Sequence, residues 1–117
     1  MPNRATIVEE LKGRELSAVT FVQDYLQLQF DGLYLNIFVW PKVMAPGASV
    51  TFEMPGYRDK LCDQIGKAVG GVAVEMNKDF QLFFTDGSIV AVSLLPSART
   101  GPEAVVFQDG KGGFGVW

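Results

Sequence analysis

Two Asp-Gly dipeptides, Asp31-Gly32 and Asp86-Gly87, each follow a short run of alternating apolar residues, with Leu26, Leu28 and Phe30 before the first and Leu82 and Phe84 before the second. Asp-Gly suits a two-residue type I′ hairpin turn, because both central residues there take positive φ. Each dipeptide therefore predicts the centre of an antiparallel meander. Past the first turn, Leu33, Leu35, Ile37 and Val39 continue the inward face while Tyr34, Asn36, Phe38 and Trp40 share the outer one. Pro41 closes this strand, since proline cannot donate to a ladder.

The flanking segments repeat in order. Thr6 to Glu9 has capping-box form and predicts a short helix through Lys12, ended by Gly13; Tyr57, Leu61 and Ile65 recur every four residues and predict a second helix ended by Gly66. Strands are expected over 17–23, 69–76, 80–85 and 88–94. Gly13 answers to Gly66, Val19 to Val72, the Gln27-Leu28 pair and Phe30 to Gln81, Leu82 and Phe84, Asp31-Gly32 to Asp86-Gly87, and Pro41 to Pro96. Single-residue insertions, among them Thr85, absorb the drift in offset. Five landmarks in sequence point to one unit used twice. The expected fold is mainly β with two short helices (α+β). Two helix-plus-three-strand meander units, over 6–41 and 57–96, would be related by a pseudo-twofold axis within one barrel-like or sandwich domain spanning 1–117. Residues 42–56 form a connector enclosing an edge strand from Val50 to Met54. Residues 97–117 form a C-terminal arm in which Glu103 to Gln108 is an edge strand or helical turn and Phe114, Val116 and Trp117 dock as a last strand.

Composition bounds the function. The 117 residues are 48% hydrophobic and 20% charged, enough for one core and too little charge for disorder. The net charge of −3 is spread without a basic block, so nucleic acid is not an expected partner. Histidine is absent, which removes the commonest general base and metal ligand. Cys62 is the single cysteine, so no internal disulfide is expected and a reducing compartment fits. The N-terminal residues lack an apolar leader pattern and no run is long enough to span a bilayer; a cytoplasmic protein without membrane contact is the expectation.

Motifs with catalytic form fail on context. Gly110, Gly112 and Gly115 match G-x-G-x-x-G, but too little chain follows to build a phosphate-binding element. Asp24, Asp31, Asp79 and Asp86 occupy matching places in the two units and read as turn residues. No Asp-x-Asp-x-Asp-Gly loop accompanies Glu53, Asp59 and Asp63. Cys62, beside the second helix's apolar stripe, reads as a part-buried small hydrophobe. No catalytic residue, metal or cofactor is expected.

The outer strand faces are the departure from rule. Tyr25, Tyr34, Phe38 and Trp40, with Phe83 in the second unit, place large aromatics where a solvated sheet face alternates to polar residues. Either the protein's own helices and tail cover them, or they meet a partner: a second copy, another protein, or an apolar ligand held between the units near Phe30, Phe84 and Trp40. The glycine, valine, Leu-x-Phe and Asp-Gly pattern resembles that of small bacterial β-rich proteins, some of them similar to toxin-immunity proteins. That resemblance implies a bacterial binding protein; the missing catalytic residue types and the aromatic face add the expectation of a non-catalytic protein that acts by contact, homodimeric or docked on another protein, with an immunity or regulatory role.

Overall fold

The structure, a computed structural model, describes residues 9–117. Among these residues the fold is mainly β, with ten strands in two antiparallel sheets, one helix and one 3-10 turn. The strands of the first sheet lie in the order β1 (Ala18–Phe21), β2 (Leu26–Phe30), β3 (Leu33–Ile37), β9 (Val105–Gln108) and β10 (Phe114–Val116). Those of the second run β5 (Ala48–Val50), β4 (Lys42–Ala45), β8 (Ile89–Ser93), β7 (Asp79–Phe84) and β6 (Val69–Glu75).

Strict alternation is what builds the interior. Every second residue of β2 and β3 is buried, and the same holds for β7 and β8. Leu26, Leu28, Phe30, Leu35 and Ile37 join Phe80, Leu82, Phe84, Val90 and Val92 in one core, so the sheets pack face to face. They do not close into a barrel. Each such side chain contributes roughly 1.5–3 kcal/mol on burial, and a one-residue slip would turn the whole set outward. Register is set accordingly: Val19 pairs with Leu28 and Leu28 with Leu35, while Val72 pairs with Leu82 and Leu82 with Val90.

Neither half of the chain completes its own sheet. The meander β1-β2-β3 is extended by the hairpin β9-β10 through pairing of Leu35 with Phe107, and the meander β6-β7-β8 by the hairpin β4-β5 through pairing of Val90 with Val43. Ahead of β1 and β6 the halves also bond directly. The Gly13 amide donates to the Val69 carbonyl and the Gly66 amide to the Leu16 carbonyl, both at 2.8 Å. The Leu16 amide reaches Lys67 at 3.0 Å, and the Val69 amide reaches Arg14 at 2.8 Å.

Several expectations change. The segment 42–56 is not a connector with a strand at 50–54: its Pro46-Gly47 turn joins two strands of the second sheet, and the strand ends at Val50. Beyond it the Met54 amide returns to the Thr51 carbonyl and Glu53 takes φ +76°, which breaks extended backbone. Val105–Gln108 is not an edge strand, because β10 covers its other side. Of the three apolar residues in the tail, Trp117 is buried edge-on to Phe80, whereas Phe114 is 64% exposed.

The helix α1 (Tyr57–Cys62) stops three residues short of Ile65. Bonds from Gln64 to Leu61 and from Ile65 to Cys62 tighten the chain into 3-10-type turns, which bring Gln64 inward and leave Ile65 exposed. Cys62 is exposed rather than part-buried. The helix expected over 6–12 lies mostly outside the described residues; Gly13, at φ +85°, takes the left-handed conformation expected where it ends.

The two Asp-Gly turns also differ. Asp31 at φ +51° and Gly32 at φ +92° make the expected two-residue turn. At the second, Thr85 lengthens the loop to three residues, Gly87 alone is left-handed at φ +93°, and its amide donates to Phe84. This is a type I turn with a glycine bulge, in which Asp86 needs no positive φ.

Candidate functional site

Three of the five aromatics singled out in sequence come together where the chain crosses from one sheet to the other. Strand β3 ends at Ile37, and the Phe38 amide bonds to the Ala104 carbonyl. Pleated alternation is lost there, so Val39 and Trp40 both pack against the core's margin instead of facing opposite ways. Tyr25, entering β2, lies against Phe38 with ring centroids 5.2 Å apart. Phe38 and Trp40 line a cleft of about 500 Å³ together with Gln23, Asp24, Val39, Ala98 and Thr100.

Trp40 extends this aromatic end to a residue that strand periodicity misplaces. Phe52 stacks on it at 4.7 Å and 7°, and Tyr57 meets Phe52 edge-on at 5.8 Å. Phe52 is 38% exposed and Met54 44% exposed; both line a second cleft of about 460 Å³ with Glu53, Tyr57, Arg58 and Asp59. The Tyr57 hydroxyl donates to the Pro41 carbonyl, tying α1 to the crossover. Burial raises the Tyr57 hydroxyl's pKa well above the usual tyrosine value, so it remains a neutral donor. The guanidinium of Arg58 lies over Phe21, 5.8 Å from the ring centre. The sequence signal for Phe52 was the spacing of Pro46-Gly47 and Pro55-Gly56, which leaves room for a hairpin and then a turn.

Tyr34 and Phe83 are elsewhere. Tyr34 stands on the outer face of the first sheet between Gln29 and Gln108, and Phe83 on the outer face of the second between Gly71 and Ile89. Those faces point away from each other. Around Tyr34 the first sheet's outer face carries an amide chain, with Gln29 donating to Gln27 at 3.1 Å and Gln27 to Asn36 at 2.9 Å.

The carboxylates do not converge. Asp24 precedes β2 and Asp31 follows it, while Asp79 begins β7 and Asp86 lies beyond its end. A strand of this length separates its ends by roughly 20 Å. Asp79 accepts a bond from Gln81, and no group of three His, Cys, Asp or Glu suited to a metal occurs among the described residues. A serine-lysine contact does exist, Lys67 Nζ to Ser88 Oγ at 3.3 Å, but its chemistry is structural. Lys67 sits 2.7 Å from Asp86 and donates also to Gln64, so its ammonium is held by those partners, and Ser88 is fully buried. The Lys67 bond, followed by the Ser88 amide, lowers the Asp86 carboxyl's pKa to about 2.

The glycine motif has its own anion. Oδ1 of Asp109 accepts the Lys111 amide at 2.7 Å and the Gly113 amide at 2.9 Å, so the β9-β10 loop closes around the protein's own carboxylate. A Cβ on Gly113 would lie 2.3 Å from Asp109 Oδ2. Two of the loop's amides are thereby taken, and the carboxylate stands where a phosphate would meet them. Phe30 and Phe84 are buried in the core, and neither lines any of the clefts described above.

No protein-family model, no curated protein and no solved structure matches this chain. No helix among the described residues is long and apolar enough to cross a membrane.

Proposed function

We propose that this is a non-catalytic protein that acts by contact, docking another protein against the aromatic end built from Tyr25, Phe38, Trp40, Phe52 and Met54. The observation that carries the reading is the Trp40-Phe52 stack, whose two rings line adjoining clefts and whose outer member, with Met54, stays open to solvent. Large aromatics and methionine in a partly open cleft are what interface centres are made of. A neutralising or regulatory role, as in immunity proteins, fits this reading. An apolar ligand between the halves is less favoured, since Phe30 and Phe84 are packed into the core there.

The same reading takes the chain as a duplicated unit. Gly13 and Gly66 are 53 positions apart, as are Arg14 and Lys67, and Leu16 and Val69. Under that shift the Gly13-Val69 bond becomes the Gly66-Leu16 bond, and the Leu16-Lys67 bond becomes the Val69-Arg14 bond. The matching register of Val19, Leu28 and Leu35 with Val72, Leu82 and Val90 supports a pseudo-twofold relation. The second unit does not repeat the aromatic end, because Trp40 has no aromatic counterpart one residue ahead of Pro96, where Leu95 stands.

The test compares wild type with Phe52→Ser/Met54→Ser and with Phe38→Ser/Trp40→Ser, first by light scattering and thermal melting, then by paired capture from the source cell's extract. A folded Phe52→Ser/Met54→Ser variant that loses one partner held by wild type supports contact through this end. A wild-type dimer dissociated by the same changes makes that partner a second copy. If every captured protein survives both variants and the mass is unchanged, the aromatic end is not an interface and the reading falls.

A further inference from the structure

We infer that the cleft beside Trp40 receives a guanidinium, carried by an arginine side chain of the partner protein; this rests on the contact reading above and names the partner's chemistry. The cleft presents two aromatic rings, Phe38 and Trp40, with Tyr25 packed against the first. Asp24 lies at the same cleft, exposed, and its carboxylate has no hydrogen bond or ion pair among the described residues. Among the described residues no lysine or arginine lines it. Arg99 stands between the lining residues Ala98 and Thr100 but does not itself line the cleft; its Nη1 donates to the Pro102 carbonyl and its Nη2 to the Leu94 carbonyl, each at 3.1 Å, and its Nε is buried without a partner among the described residues.

Aromatic rings beside a carboxylate that has no partner among the described residues suit a cation. A guanidinium suits it better than an ammonium: it is flat, more weakly hydrated, stacks on an indole, and meets a carboxylate through two parallel bonds. The adjoining cleft adds Glu53 and Asp59 against one cation, Arg58, neither acid being in an ion pair among the described residues, and the chain's net charge of −3 favours a basic partner at longer range. Around the cleft, Val22, Phe52 and Met54 offer exposed apolar contacts for residues flanking the arginine.

The probe is Nα-acetyl-arginine amide, titrated into the full-length chain and read on the Trp40 indole N–H resonance, which Trp40→Phe identifies by its loss. Nα-acetyl-citrulline amide, neutral and of the same shape, is the control, and the buried Trp117 indole serves as internal reference. The expected result is a Trp40 shift with arginine saturating at about tenfold lower concentration than with citrulline. Asp24→Asn should remove most of that preference while leaving the fold unchanged, and added salt should narrow it. Equal binding of the two probes, or no shift at Trp40, overturns the inference. If the probes fail but Phe52→Ser/Met54→Ser still loses its partner, the contact reading stands and only the guanidinium is wrong. If arginine binds while no partner is lost, the protein source is refuted.

Discussion

The loop that carries the glycine motif offers a double-mutant cycle with a definite sign. Gly113→Ala would place a methyl group 2.3 Å from Oδ2 and 2.9 Å from Cγ of Asp109, closer than real contacts allow. No positive φ is required at Gly113, so the backbone itself tolerates alanine, and the cost lies in displacing the carboxylate from the amides of Lys111 and Gly113. Two bonds on a half-exposed loop, at the typical net value of about 1 kcal/mol each, amount to about 2 kcal/mol. Asp109→Ala removes the same two bonds without the clash and should also cost about 2 kcal/mol. In Asp109→Ala/Gly113→Ala the methyl group meets nothing, so the double variant should again lose about 2 kcal/mol and not about 4. Urea unfolding resolves this, because at a slope near 1–1.5 kcal/mol/M each single change lowers the midpoint by roughly 1.5–2 M. Additive losses, or a Gly113→Ala variant as stable as wild type, would refute the self-capped loop and reopen the motif as a ligand site.

Acid sensitivity should come in part from one residue. The pKa of Asp86 is lowered from 3.8 to about 2 in the folded state, so its contribution is complete above about pH 4 and is lost as the pH falls towards 2. Asp86→Asn should lower the melting temperature at pH 6, with the difference from wild type shrinking below about pH 4 and vanishing only as the pH falls through 2; a constant difference across that window counts against the Lys67-Asp86 bond. Phe107→Ala should cost about 3–5 kcal/mol from a stability on the order of 5–15 kcal/mol, and should weaken both sheets together. The far-UV circular dichroism and tryptophan transitions should remain coincident, and a surviving second meander would show that the halves are not one cooperative unit.

Local chemistry made much of the fold legible. Leu26, Leu28 and Phe30, and their counterparts Leu82 and Phe84, could face only one way, and the turns between strands name themselves by Asp and Gly. What was hidden is the exchange of hairpins. Val43 pairing with Val90 and Phe107 with Leu35 are encounters between distant edges, and an alternating pattern specifies which face a strand buries but not which strand lies beside it. The site was half legible for the same reason. Tyr25 and Phe38 follow from register, whereas Trp40 lies beyond the end of β3, where period-two reasoning no longer applies, and Phe52 sits in a turn that Glu53 creates by taking φ +76°. Tyr34 and Phe83 obey the alternation and so end on opposite sides of the molecule.

The shared hairpins have a consequence in time. Ile37 pairs with Val105, which the ribosome adds 68 residues later. At a synthesis rate of ~5–20 residues per second, the open edge of β3 waits roughly 3–14 s for its neighbour. The second sheet acquires β4 and β5 before its own meander exists, and the first sheet is closed only as the chain reaches Val116. A stalled or truncated product therefore carries the aromatic crossover beside an unpaired strand edge, a template on which another nascent copy can pair.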